Sequence, residues 1–357
     1  MDAYNIKRII RTSFIGRSKV YLFLRWLSYR KGQDAIIYKF LGKSISDERK
    51  RQVKKMMKRA FINYRWEFDE FFLFNFEKID EKKKKSFVPE YDKNIFTDLI
   101  NSRKEADVFL DKWTTYEYFK KYFRRDVYNI RSLEDLFKEE FHAFINAHPK
   151  FMMKPVYGTR GAGIKVIEVI NVQDAVKQLS ALYNSGIKDI IIEELIQQDS
   201  VLSAFHESSC NTIRIVTLRY DDRVDVIHSF WRVGQGDSVV DNAGAGGIMG
   251  NIDIKTGTIY AACDESGKSY TRHPESKLPI VGFTLPRWQE AINTAKQLAQ
   301  ILPNVRYVGW DLALCDKGWV MIEGNDKGQF VFQYPAQEGC REEMNTILRE
   351  LKKKEIW

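Results

Sequence analysis

Residues 308–325, VGWDLALCDKGWVMIEGN, constrain this chain more than any other stretch. They read as a β-hairpin, two apolar-rich strands around Asp316-Lys317-Gly318. With a three-residue loop and Gly318 in the left-handed conformation, Cys315 faces Trp319 and the register is set. Asp311 then falls opposite Glu323, and Asn325 points to the same face two residues on. A two-residue turn would shift the register and break that pairing. Facing carboxylates repel. An apolar sheet holds them together only if something positive sits between them. A hard divalent cation such as Mg²⁺ suits an oxygen-only cluster and usually brings a nucleotide phosphate. The alternative is a hairpin whose acids point into water, and the rest of the chain has to decide.

A chain of 357 residues is long for one core, so two or three lobes are expected. With 44% hydrophobic and 13% aromatic residues, broad disorder is not. The net charge of +9 is uneven, because lysine and arginine crowd the first third. Such charge suits a nucleic acid, an anionic membrane surface or a phosphorylated substrate, or simply the solvated faces of helices. The four cysteines lie far apart and the histidines are scattered, which argues against a zinc site or a disulfide framework. No signal-peptide pattern opens the sequence, and no apolar run reaches about 18 residues. A cytoplasmic protein is expected. Peripheral contact with the inner membrane face through residues 4–41, which mix Tyr, Phe, Trp and Leu with Arg and Lys, stays open.

Residues 1–104 read as a mostly helical, basic and aromatic region. Ser46 caps a helix whose first turn holds Asp47 and Glu48. Val53, Met56, Met57, Ala60, Phe61 and Tyr64 recur along it at helical spacing. Lys82 to Lys85 reads as a solvated turn. A further helix starts near Asp111-Lys112. From Phe151 short apolar runs take over at 151–153, 164–170 and 189–196, with a helix over Val172 to Tyr183. After Arg214 the pattern is mostly strand, followed by helices over 286–302 and 337–353. The rhythm is α+β rather than a strict βαβ alternation.

Several segments carry candidate chemistry. Lys154 opens KPVYGTRGAGI, where Gly158, Gly161 and Gly163 allow a nest of amides suited to phosphate. Lys154 and Arg160 add charge. The segment is not a P-loop, and a ligand-free glycine-rich hairpin is the alternative. IIIEELI at 190–196 is an apolar strand ending in Glu193, Glu194, Leu195 and Ile196. It is either an edge able to read a flat base or an edge with solvated acids. Alternation puts Thr212, Arg214 and Val216 on one face of a strand, and a lone charge there wants an anionic partner. Arg232 closes the next strand. Asp241 and Asn242 open a second glycine-rich loop, able to hold an oxyanion or to turn the chain.

The order of these parts is more specific than any one of them. Lys112, Lys154 to Gly163, Glu193-Glu194, Arg214, Asn242 to Gly247, then Asp311 with Glu323-x-Asn325 resembles the ATP-grasp superfamily. DNAGAGG, HPES, VGWDLAL and IEGN look like its sugar-transfer-associated branch. The resemblance covers roughly 105–330, and the first hundred residues match no named motif. It implies two α+β lobes clamping ATP, at 105–197 and 198–357, behind a helical N-terminal extension. Lys112 and Lys154 would contact phosphates under a lid at 158–163, and Glu193 to Ile196 would form the adenine hinge. Asp311, Glu323 and Asn325 would hold Mg²⁺. Arg214, Arg232 and Asn242 would steady the transferred phosphoryl group. The implied activity is carboxylate–amine ligation through an acyl phosphate, on a sugar, sugar-nucleotide or lipid-linked precursor, with no nucleic acid partner. A small-molecule kinase on the same scaffold and a non-enzymatic anion-binding module are the alternatives.

Overall fold

The computed structural model describes residues 3–158, 163–238, 241, 246–328 and 330–354. The described strands form two sheets, and every neighbouring pair is antiparallel. The smaller sheet holds β1 (Val127–Ile130), β2 (Lys150–Pro155), β3 (Lys165–Glu168) and β4 (Ile190–Glu194), in the order β1-β4-β2-β3. The larger holds β5 (Ile213–Arg219), β6 (Val224–Val233), β7 (Ile248–Ile252), β8 (Ile259–Asp264), β9 (Tyr307–Cys315) and β10 (Gly318–Asn325). Its order is β10-β9-β5-β6-β7-β8.

The smaller sheet buries one face under helices Glu139–Ala147 and Val172–Asn184. Phe151, Met153, Ile190 and Ile192 alternate inward against Phe141 and Leu179. Met152 and Lys154, on the opposite pleat, are left half-buried. The run 190–196, read as a sheet edge, is instead a central strand between β1 and β2. Its apolar run is the signature of a strand flanked on both sides.

The larger sheet is covered on both faces. One side packs on helix Trp288–Leu298 and on helix Lys112–Phe123, whose Tyr116, Phe119 and Phe123 join Ile213, Trp310 and Met321 in one core. The lobe expected to begin at 105 therefore begins at β1, because residues 106–123 pack with the other sheet. The opposite side meets helices Glu90–Ile100 and Arg341–Lys353. There Phe96, Ile100 and Met344 pack on Val216, Leu218 and Tyr307.

Farther toward the N-terminus, helix Asp47–Tyr64 starts on Ser46, whose side chain accepts from the amide of Arg49. It buries Val53, Met57, Ala60 and Phe61 of the six apolar positions, and Met56 and Tyr64 pack half-buried at the margin of that core. Lys82 to Lys85, expected as a turn, belong to a short helix, Glu81–Ser86. The carboxylate of Asp80 caps it by accepting from the Lys83 amide.

Candidate functional site

The hairpin at 307–325 reaches its expected pairing by an unexpected route. The turn has two residues, Asp316 and Lys317, and Gly318 pairs with Cys315 instead of closing a three-residue loop. Its φ of +94° still requires glycine. The register shifts by one between Met321 and Glu323, so Ile322 is an extra, bulged residue. Past the bulge Glu323 pairs with Asp311, and Asn325 with Gly309.

Something positive does sit between the two acids, and it belongs to the protein. Arg214 lies opposite Asp311 on the neighbouring strand. Its Nε and Nη2 donate to the two Asp311 oxygens at 2.5 and 2.6 Å, and its Nη2 is 3.6 Å from Glu323. Arg232 from β6 adds a contact of 2.7 Å to Asp311 Oδ2 and donates to the Thr212 hydroxyl. Asp241 accepts from the Thr212 amide and hydroxyl and lies 3.7 Å from Arg232. Burial opposes charge on Asp311, but Arg214 and Arg232 outweigh it and hold the carboxyl well below the usual range. Glu323 differs. Lost hydration and the Asp311 charge raise its pKa, while nearly half of its side chain stays open to solvent (47%). The Asn325 amide donates to Glu323 Oε1 at 3.2 Å.

The oxygens of Asp311, Glu323 and Asn325 fit a hard divalent cation in type and in grouping. In the chain alone the guanidinium of Arg214 supplies the positive charge that such a cation would bring. Both Asp311 oxygens already accept N–H groups, so a cation would have to share that carboxylate with the arginines.

On the smaller sheet, Lys154 Nζ donates to Glu193 Oε2 at 2.9 Å. The same oxygen accepts from Nε and Nη2 of Arg125 at 2.9 and 2.7 Å. Glu193 is buried. Burial works against its charge, yet Arg125 and Lys154 bring its pKa down to about 2. A carboxylate so engaged is an anchor between β4 and its surroundings, which differs from the expected reader of an adenine amine. Glu194 also has partners, with Oε1 accepting from Lys317 Nζ at 2.9 Å and Oε2 from the Asp126 amide at 3.1 Å. Leu195 and Ile196 follow β4, and Ile196 packs with Val320 and Cys315.

Lys112 begins its helix behind Asp111, which caps it by accepting from the Thr114 amide. Its ammonium donates to the carbonyls of Pro155, Val156 and Gly158 at 3.0–3.3 Å. Burial lowers its pKa, Glu323 raises it and Lys154 lowers it, so the two lobes share one electrostatic field here. Lys112 thus grips the entry to the glycine loop. At the loop's exit Gly163 has φ +76°, and a Cβ there would lie 2.8 Å from Pro155 Cγ. Arg160, Gly161 and Asn242 lie outside the described residues.

Sequence reasoning missed Arg125 and the part played by Asp241. The signal for Arg125 was present: a glutamate closing an isoleucine run has to find a cation if it is buried. Arg125 stands in the short link between helix Lys112–Phe123 and β1. It also donates to the Met321 carbonyl at 2.6 Å, tying both sheets to one guanidinium.

Residues 92–349 match the family of sugar-transfer associated ATP-grasp proteins, and the chain belongs to that family. Solved structures with related folds include an ADP complex of an N5-carboxyaminoimidazole ribonucleotide synthetase, with TM-score 0.40 and 14% identity over 62% of this chain and 46% of that one. VanG D-Ala:D-Ser ligase from Enterococcus faecalis aligns with TM-score 0.42 and 14% identity over 67% of this chain and 60% of that one. D-alanyl-alanine synthetase A from Vibrio cholerae aligns with TM-score 0.39 and 6% identity over 63% and 57%. The chain spans about half the length of the first and less than two thirds of the others. No curated protein matches it in sequence.

Proposed function

We propose that this chain is an ATP- and Mg²⁺-dependent carboxylate–amine ligase acting on a sugar or surface-polysaccharide precursor. One observation carries the reading. Asp311, Glu323 and Asn325 share one face of the larger sheet with Arg214, and the Lys112 ammonium, held on the carbonyls that follow Lys154, lies within the field of Glu323.

A carboxylate is a poor electrophile for an amine. Phosphorylation by ATP gives an acyl phosphate, and attack by the amine expels phosphate and leaves an amide. In this reading Lys112 and Lys154 attract the nucleotide phosphates, and Arg214 and Arg232 balance the charge that gathers on the transferred group. Asp311, Glu323 and Asn325 would hold Mg²⁺, which when bound neutralises phosphate charge. The loop between Gly158 and Gly163 excludes water from the activated acyl group. Glu193 sets the position of Lys154, and the adenine is read by the chain from Glu194 to Ile196.

Incubation with ATP and candidate carboxylate and amine pairs tests the assignment. A ligase releases ADP and free phosphate together with an amide. ADP with a phosphorylated product would mean a kinase, and no turnover with any pair would remove the enzyme reading.

A further inference from the structure

The N-terminal helices are built inside out for a surface meeting water. Helix Ala3–Thr12 turns its arginines inward. Arg8 donates to the Asp98 carbonyl at 2.6 Å, and Arg11 pairs with the buried Asp98 carboxylate. The next turn is fastened from below, where Tyr91 donates its hydroxyl to the Gly16 carbonyl at 2.8 Å. The outward side is apolar. Phe14 is 90% exposed, Val20 71%, Ile15 66% and Leu24 58%. In helix Lys19–Tyr29, Val20, Phe23 and Leu24 recur at helical spacing on the exposed side, while Leu22 is buried beneath. A monomer surrounded by water rarely leaves so many large apolar groups together.

Charge says what covers them. Residues 3–33 contain eight lysines and arginines and no acid. Arg17, Lys19, Arg30 and Lys31 are exposed beside the apolar groups. A second protein surface would need an acidic rim around an apolar patch. An anionic lipid bilayer supplies both at once, with phosphate charge at the level of the cations and acyl chains just below. Trp26 stacks with Phe23, with Lys58 over both rings, an arrangement suited to the headgroup boundary. No helix among the described residues is long and apolar enough to cross a membrane.

We infer that this face docks the chain on an anionic bilayer: Phe14, Ile15, Val20 and Leu24 enter the interface, and Arg17, Lys19, Arg30 and Lys31 hold the lipid phosphates. The inference stands apart from the ligase reading, and its test uses no nucleotide.

The test is co-sedimentation of the full chain with vesicles of phosphatidylcholine alone, and with about 30% phosphatidylglycerol added. Binding is expected on the anionic vesicles only, weakening as salt rises. A triple variant, Phe14→Ser with Ile15→Ser and Leu24→Ser, should lose binding by at least about tenfold. So should a quadruple variant replacing Arg17, Lys19, Arg30 and Lys31 with Gln. These side chains are exposed, so both variants should melt like the parent. No binding at low salt overturns the inference, and so does undiminished binding by the triple variant. If the parent self-associates in sedimentation velocity and the triple variant is monomeric, the face belongs to a second copy and the bilayer inference fails.

Discussion

Asp311 and Glu323 share one pairing and differ in role. Asp311 is the buried counter-ion of two arginines, so Asp311→Asn strips charge from a network that cannot reach water. Breaking such a pair from one side costs about 3–5 kcal/mol. We expect that variant to lose both thermal stability and turnover. Glu323 is half open, and its contact with Arg214, 3.6 Å, is longer than the one Asp311 makes. Glu323→Gln should therefore lower turnover by about 100-fold or more while leaving the melting temperature close to the parent's. Wild-type rates in Glu323→Gln would remove it from the cation site.

Glu193 allows a prediction with a definite sign in pH. Its pKa in the fold, about 2, is depressed from an ordinary 4.5. The stability it confers is thus complete above 4.5 and is lost as pH falls toward 2, a difference of about 3 kcal/mol. Other buried acids act the opposite way, because burial raises Glu70 and Asp241. The acid limb of the whole chain therefore mixes signs, and the contribution of Glu193 is read from a comparison. Urea midpoints of the parent and of Glu193→Gln should differ at about pH 6 and converge as pH falls to about 2. A gap that persists undiminished in acid would mean that Glu193 does not act through its charge.

At the scale of elements, the hairpin shows what sequence can and cannot carry. The strand pattern, the glycine at the turn and the facing acids were legible, because side-chain alternation follows directly from order along the chain. The turn length was not, and neither was the bulge that compensates for it. A bulge depends on how Ile322 packs beside Val320 and Ile196, which one-dimensional spacing does not encode. The central position of β4 was hidden for a similar reason, since Glu193 suggests an edge until Arg125 is found beside it. The bulge also makes a test. Deleting Ile322 should keep the Gly318-to-Met321 pairing and carry it on in regular register, leaving Glu323 opposite Asp311 and Asn325 on the same face. Nucleotide-induced thermal stabilisation should then survive, while loss of the half-buried Ile322 side chain should cost up to about 2 kcal/mol. A deletion variant that no longer responds to nucleotide would show that the bulge itself, and not the pairing alone, shapes the site.

Across the whole molecule, the N-terminal hundred residues are more than an appendage. The family match begins only at residue 92, and the helix that opens it, Glu90–Ile100, completes the core beside the site. Val88, Phe96 and Ile100 cover Val216, Leu218 and Tyr307 on the face of the sheet that also bears Arg214. The buried Gln333 side chain bonds the amide and the carbonyl of Val88, and Asn101 bonds the carbonyls of Tyr307 and Asp326 beside the hairpin. Each large apolar side chain so buried contributes about 1.5–3 kcal/mol. Three of them approach the whole net stability of an ordinary domain, about 5–15 kcal/mol. A chain cut to 105–357 keeps the residues through which the site is recognisable and loses the support behind β5 and β9. Such a fragment should bind a hydrophobic dye and melt without a cooperative transition. A sharp melt in the fragment, with the parent's shift on adding ATP and Mg²⁺, would show instead that the two sheets hold the site unaided.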